Sequence, residues 1–375
     1  MIYYTGSTPP PGYFIKEELD ARGLTQSDLA YILGCPVQAV NLIVSGKRGI
    51  SPEMAKALGV AFDVPAAFFA NLQTAFDLSR AREPDPGVGR RARLQSAYPI
   101  REMIKRGWIE ETDDPELLEI QMVRFLDVET AEEIPHLPHV AKKTHYDDMP
   151  PAQVAWLFRV RQIAGAITVP PYSEQRLRAA LPRLRQLLAD PEEARHVSRI
   201  LMECGVRFVL VEPLPKGKID GVCFWIDGSP VIGMSLRFDR IDNFWFVLRH
   251  EIEHVLRRHG QKEEMVDVEL KGRNWMDGDD DEPDEERVAN EAAGEFAIPA
   301  HEIGDFIARK NPYFSERDVV GFAKRLQIHP GIVIGQIQSR TGRYDFLRRY
   351  LVKIRQFILP GAITDGWGNV FPVAI

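Results

Sequence analysis

FWFVLRHEIEHVL, residues 244–256, sets two histidines and a carboxylate on one apolar segment. His250 and His254 are four residues apart, so in an α-helix, at about 100° per residue, their imidazoles share a face and reach one point. Glu251 sits beside them. A borderline metal such as zinc accepts two imidazole nitrogens, and a neighbouring carboxylate can take a proton from water that the metal has acidified. Two solvated histidines on a surface helix would also satisfy H-E-x-x-H. The flanks argue otherwise: Phe244, Trp245, Phe246, Val247 and Leu248 precede the motif, and Val255 and Leu256 follow it. They predict a mostly buried helix, and buried imidazoles need partners.

A third ligand is wanted, and EERVANEAAGEFAIP, residues 285–299, offers Glu286 near the start of an alanine-rich helix. Ala289, Ala292 and Ala293 let that helix approach a neighbour closely. Asn290, one turn beyond Glu286, points the same way and could hold a ligand imidazole by its second nitrogen. Pro299 ends the helix.

The H-E-x-x-H motif is that of zincins, and HEIEH followed by E-x-x-A-N and then A-I-P resembles the ImmA/IrrE family of bacterial metallopeptidases. IDGVCFWIDGSPVIGMSLRFDRIDNFWFVLRHEIEH is similar to the strand and helix before that family's motif, and IHPGIVIGQIQ to its C-terminal segment. The resemblance implies that His250, His254 and Glu286 bind Zn2+ or another divalent metal, with Glu251 as general base. The family usually has glycine where this chain has Glu253. That residue lies one turn from both Arg249 and Arg257, which predicts an ion-paired side chain rather than a competing ligand.

FIKEELDARGLTQSDLAYILGCPVQAVNLIVSGKRGISPEMAKALGVAFDV, residues 14–64, reads as short helices cut by turns. Gly23 ends one helix, and Thr25 caps the next with Asp28 as the matching acid. Leu29, Ala30 and Leu33 face inward. Gly34 and Cys35 turn the chain, Pro36 opens a third helix, and Val40, Leu42 and Ile43 give that helix its inner face. Two short helices about such a turn form a helix-turn-helix. The segment from about residue 12 to 80 resembles XRE-type repressors, and among them antidote proteins of the HigA type. By position, the resemblance implies that Gln38 and Asn41 read base edges while Gln26, Lys47 and Arg48 hold phosphates. A homodimer is expected, since paired half-sites read symmetric operators. Val64, Phe68, Phe69, Leu72 and Phe76 would form either its contact or the core.

The remaining sequence sets bounds. A chain of 375 residues makes two or three domains, and its net charge of −7 confines any nucleic-acid contact to a local surface. No apolar run approaches the roughly 20 residues of a membrane span, and MIYYTGSTPPP lacks the pattern of a secretory signal, so a cytoplasmic protein without membrane contact is expected. Cys35, Cys204 and Cys223 are too scattered for a disulfide framework. EPDPGVGRRARLQ, residues 83–95, reads as a linker, and residues 98–204 as mostly helical. His136, His139 and His145 sit among prolines without a common face, so no second metal site is expected there. VRFVLVEPL, GVCFWID and PVIGMSL read as strands. A strand beside the metal helix would offer a free edge for an extended substrate. The acidic run at 277–286 reads as a solvated loop whose Asp281, Asp284 and Glu285 favour the following helix N-terminus. Residues 315–347 suggest two helices with His329 near their turn, and Tyr344 and His259 are candidate oxyanion stabilisers.

The expected fold is mainly α with a small β-sheet (α+β). A helix-turn-helix domain over 1–80 precedes a linker and helical segment over 81–150, and a zincin-like metallopeptidase domain spans 151–375. The function that the two resemblances imply is a DNA-binding regulator that cleaves a protein substrate, such as a repressor or antitoxin, in a stress or phage response. The competing expectation is a HigA-like repressor whose metallopeptidase-like domain senses or docks without proteolysis.

Overall fold

Glycines and caps cut the N-terminal segment where the residue types dictate. The computed structural model describes residues 8–85, 87–134, 149–261, 265–268 and 284–373. Five helices lead: α1 (Pro11–Arg22), α2 (Gln26–Leu33), α3 (Val37–Val44), α4 (Pro52–Phe62) and α5 (Ala66–Arg80). Gly23 and Gly34 close α1 and α2 at φ 70° and 64°, a left-handed conformation that costs glycine little. At the start of α2 the Thr25 hydroxyl accepts from the Asp28 N–H at 3.2 Å, while the Asp28 carboxylate accepts from the Thr25 N–H at 2.8 Å. This reciprocal cap satisfies two backbone donors that the helix cannot. Helices α2 and α3 meet at a bend of 119°, at the open end of the about 90–120° range of helix-turn-helix pairs. Leu29, Ala30, Val40, Ile43, Leu58, Phe62 and Phe69 form their shared core.

The chain divides into Met1–Asp85 and Pro86–Ile375. The second unit runs through α6 (Gly87–Ala97), α7 (Ile100–Lys105), α8 (Pro115–Phe125), α9 (Pro151–Gly165), α10 (Glu174–Gln186) and α11 (Val197–Glu203). Strands β1 (Arg207–Val211), β2 (Ile219–Ile226) and β3 (Ser229–Met234) lead into α12 (Ile241–Arg257). After β4 (Met265–Val268) come α13 (Asp284–Ala297), α14 (Ala300–Lys310), α15 (Glu316–Leu326), α16 (Pro330–Thr341), α17 (Arg355–Ile358) and β5 (Ile363–Asp365). The sheet order is β4-β2-β3-β1-β5, antiparallel at β4-β2 and β2-β3 and parallel at β3-β1 and β1-β5.

Alternation along the strands sorts their side chains onto two buried faces. Val209, Val211, Val222, Phe224 and Val231 pack with α9 and the helices before it. Phe208, Leu210, Cys223, Ile232 and Met234 pack with α10, α11, α12 and the helices after it. The result is three layers with the sheet in the middle, a mainly α protein with one small sheet. No single helix among the described residues is long and apolar enough to cross a membrane.

Two expectations change. Most of the stretch read as a linker over 83–95 is helical: α6 buries Leu94, and Arg90 and Arg93 pair with Glu116 and Glu119 of α8 at 3.1 and 3.0 Å. Those arginines are engaged within their own unit. The helices before residue 134 also share a core with α9 and the sheet, so contacts divide the chain at 85/86 and the expected boundary at 150 falls inside one unit. The two C-terminal helices form as read, with His329 at the turn: its Nδ1 accepts from the Gly331 N–H at 3.1 Å to cap α16. Burial pushes the pKa of His329 down, which keeps it in the neutral form that a cap requires. His136, His139, His145 and Asp281 lie outside the described residues.

Candidate metal centre

Helix α12 crosses the sheet with nearly every side chain buried, as its apolar flanks require. His250, Glu251 and His254 are each 0% exposed. Helix α13 lies against it, and the buried small residues Ala289, Ala293 and Gly294 remove the bulk that would hold the two helices apart. That approach carries Glu286 onto the histidine face. Nε2 of His254 is 2.9 Å from Nε2 of His250, and the Glu286 carboxylate lies 3.3 Å from His250 and 3.5 Å from His254. One ligand atom from each residue falls within 4.8 Å of the others. Donors about 2.0–2.1 Å from a tetrahedrally bound zinc ion stand about 3.3–3.4 Å apart. Two imidazole nitrogens and a carboxylate at these separations fit a divalent cation of that size.

Glu251 turns toward the sheet. A Cβ built at Gly221 of β2 would lie 1.9 Å from the Glu251 carboxylate oxygen, so only glycine leaves room for the acid there. The pairing of β2 with β4 is irregular at this point, between Ile219 and Gly221. Irregular pairing of this kind recurs where a sheet adapts to a functional side chain. Glu253 takes the ion-paired role expected of it, with Arg249 at 2.8 Å and Arg257 at 2.9 Å. Burial raises its pKa, but the bonds from Arg257 and Arg249 outweigh that and hold the carboxyl below the ordinary glutamate range. It does not join the ligand cluster.

In the first unit Gln38, Asn41, Lys47 and Arg48 are exposed and Gln26 is half-buried. Val37, 47% exposed, opens α3 beside Gln38. Of the residues offered for dimer contact or core, Phe69 is core, while Phe68 is 43% exposed and packs edge-on against it at 5.2 Å. Val64 and Leu72 are partly buried against the same core.

Residues 15–69 match the helix-turn-helix family model, and residues 205–333 match the model of the IrrE N-terminal-like domain, a peptidase family. The chain carries one domain of each kind. Virulence-associated protein A' of Dichelobacter nodosus is 40% identical over 76 residues, which is 20% of this chain and 66% of that protein, just short of two thirds of its length. An addiction module antidote protein of a HigA family from Coxiella burnetii is 24% identical over 29% of this chain and 100% of its own, with a TM-score of 0.19.

Within the IrrE N-terminal-like domain, two features differ from the sequence reading. His259, offered as an oxyanion stabiliser, places its ring against His254 with the two Nδ1 atoms 2.9 Å apart. The second nitrogen of His254 thus meets His259; Asn290, offered as a partner for the second nitrogen of a ligand imidazole, is buried on α13 one turn beyond Glu286. Tyr344 is 47% exposed on the segment after α16. The strand beside α12 is β2, and it is paired on both sides; among the described residues the outermost strand next to it is β4, so the edge expected there belongs to β4. Its register sets Asp267 opposite Gly221, the residue that abuts Glu251.

Proposed function

We propose that this chain is a DNA-binding transcriptional regulator whose IrrE N-terminal-like domain is a zinc-dependent endopeptidase acting on a protein, a repressor or an antitoxin, in the cytoplasm. The observation that carries the reading is the convergence of His250, His254 and Glu286 from two helices onto one point. A divalent metal bound there supplies the Lewis acidity that acidifies water and polarises a carbonyl. Glu251 takes the proton of the attacking water and passes it to the leaving amine. The outer edge of β4 orients an extended substrate by strand pairing next to that acid. Metal analysis of the full chain tests the site: about one equivalent in the parent and none in His250→Ala is the expected result. Equal metal in both would remove the centre.

The helix-turn-helix domain positions the activity at an operator, as a homodimer on paired half-sites. Asn41→Ala is expected to cost about 1–3 kcal/mol of operator binding and to relax preference at one base pair, while Lys47→Ala weakens all sequences alike and lowers the salt slope by about one. Quantitative shift assays at several salt concentrations separate these outcomes; identical behaviour of the two variants would reject the assignment. A second reading is favoured by the complete burial of Glu251. Under it the metal centre is a sensing or docking module of a HigA-like repressor, and operator occupancy responds to metal without any peptide bond being cut.

A further inference from the structure

A metal-ligating imidazole has two nitrogens, and the one turned away from the metal has to be managed. In His254, Nε2 faces His250 and Glu286, while Nδ1 faces Nδ1 of His259 at 2.9 Å. With Nε2 given to a cation, the ring's proton resides on Nδ1 and requires an acceptor. His259 accepts through Nδ1 only in the tautomer that carries its own proton on Nε2. That nitrogen faces the Glu285 carboxylate at 3.8 Å. Glu285 and the ligand Glu286 are adjacent in α13, so one helical step sends one carboxylate to the cation site and the other to the histidine behind it.

The backbone holds His259 in place without help from a cation. Arg258 ends α12 at φ 61°, which folds the chain back so that the His259 N–H donates to the His254 carbonyl at 2.9 Å. The His259 carbonyl accepts from the Trp225 indole N–H at 2.9 Å. Gly260 follows at φ 74°, where a Cβ would lie 2.4 Å from the Cys223 carbonyl oxygen, so this turn is pressed against β2. The acceptor is therefore preorganised.

We propose that His259, backed by Glu285, is a positioning residue that fixes the tautomer and ring orientation of the ligand His254. The proposal rests on the metal-centre reading above. The test measures Zn2+ affinity of the full chain by competition with a chromophoric chelator, together with the visible absorption of the Co2+-loaded protein. His259→Leu is expected to weaken Zn2+ binding about 10–100-fold and to shift the Co2+ bands, because the Nδ1–H of His254 then loses its acceptor. His259→Asn, whose amide oxygen can accept at the same place, is expected to recover most of the affinity and the parent spectrum. Glu285→Gln, on a half-exposed side chain, is expected to cost about threefold.

Near-UV circular dichroism of the metal-free forms checks folding, and if His259→Leu does not fold, the Asn and Gln variants decide. Parent-like affinity and spectrum in His259→Leu, or an unaltered affinity in Glu285→Gln where the Leu variant is unfolded, would overturn the positioning role while leaving the metal centre intact. A parent that binds no Zn2+ would overturn both.

Discussion

Glu251→Gln in the full chain is expected to retain about one equivalent of divalent metal and to lose peptide-bond cleavage by about 10²–10⁴-fold in kcat. The substitution exchanges one oxygen for an NH2 group in a side chain that is 0% exposed, so its shape still fits the space left by Gly221. What changes is the ability to take a proton. An amide cannot act as a general base at neutral pH, whereas the three candidate ligand side chains are untouched. Turnover of a mixed peptide library, read by mass spectrometry beside metal content, separates the two roles. Loss of metal together with activity would make Glu251 part of the cation site, and undiminished cleavage would place the base elsewhere. If neither parent nor variant cleaves while both bind metal, and operator affinity changes when the metal is stripped, the sensing module is the better account.

The cluster of His250, His254 and Glu286 was legible in the sequence from helical spacing together with the small residues of α13. His250 and His254 share a face at any i,i+4 spacing, and the alanines of α13 announced a close helix pair that would bring Glu286 across. The caps of α2 were legible for the same local reason, since Thr25 and Asp28 need only each other. The place of His259 was not legible because it depends on a left-handed turn at Arg258, a residue type with no preference for that conformation. Gly221 gave no sign of its role either: a glycine in a strand marks a close approach, but only the crossing of α12 over β2 shows what approaches. The segment 87–97 misled in the other direction. Glycine and proline around its arginines argued for a linker, and burial of Leu94 with ion pairs to α8 overrode that local preference. Strands β4 and β5 are four and three residues long, too short to carry an alternating pattern, and both exist through pairing with strands already in place.

Asp365→Ala should destabilise the second unit by about 3–5 kcal/mol, with a Tm lower by roughly 10 °C. Asp365 and Arg159 are each 1% exposed. Arg159 donates to the carboxylate through Nε at 3.0 Å and through a second, shorter contact from Nη2, and it also donates to the Phe371 carbonyl at 2.7 Å. The Trp108 indole N–H and the Phe371 backbone N–H complete the acceptor's shell at 2.8 and 3.1 Å. One carboxylate therefore joins α9, the loop after α7, β5 and the chain's final segment. Truncating it strands a guanidinium, an indole N–H and a backbone N–H in a site with little access to water, and that loss of compensation is the main cost. Asp365→Asn keeps one acceptor oxygen but not the charge, and should lose about half as much. Arg159→Met combined with Asp365→Leu removes both charges at similar volume and should regain most of the Arg159 share, leaving the indole and amide unsatisfied. Reversible denaturant unfolding followed by tryptophan fluorescence measures all three variants. A loss below about 1 kcal/mol in Asp365→Ala would mean that water reaches the pair, which is the behaviour of a surface ion pair. The sheet order sets β1 and β3 between β5 and β2, so Zn2+ affinity of the folded Asp365→Ala protein should stay near that of the parent, because sites without shared partners act nearly independently.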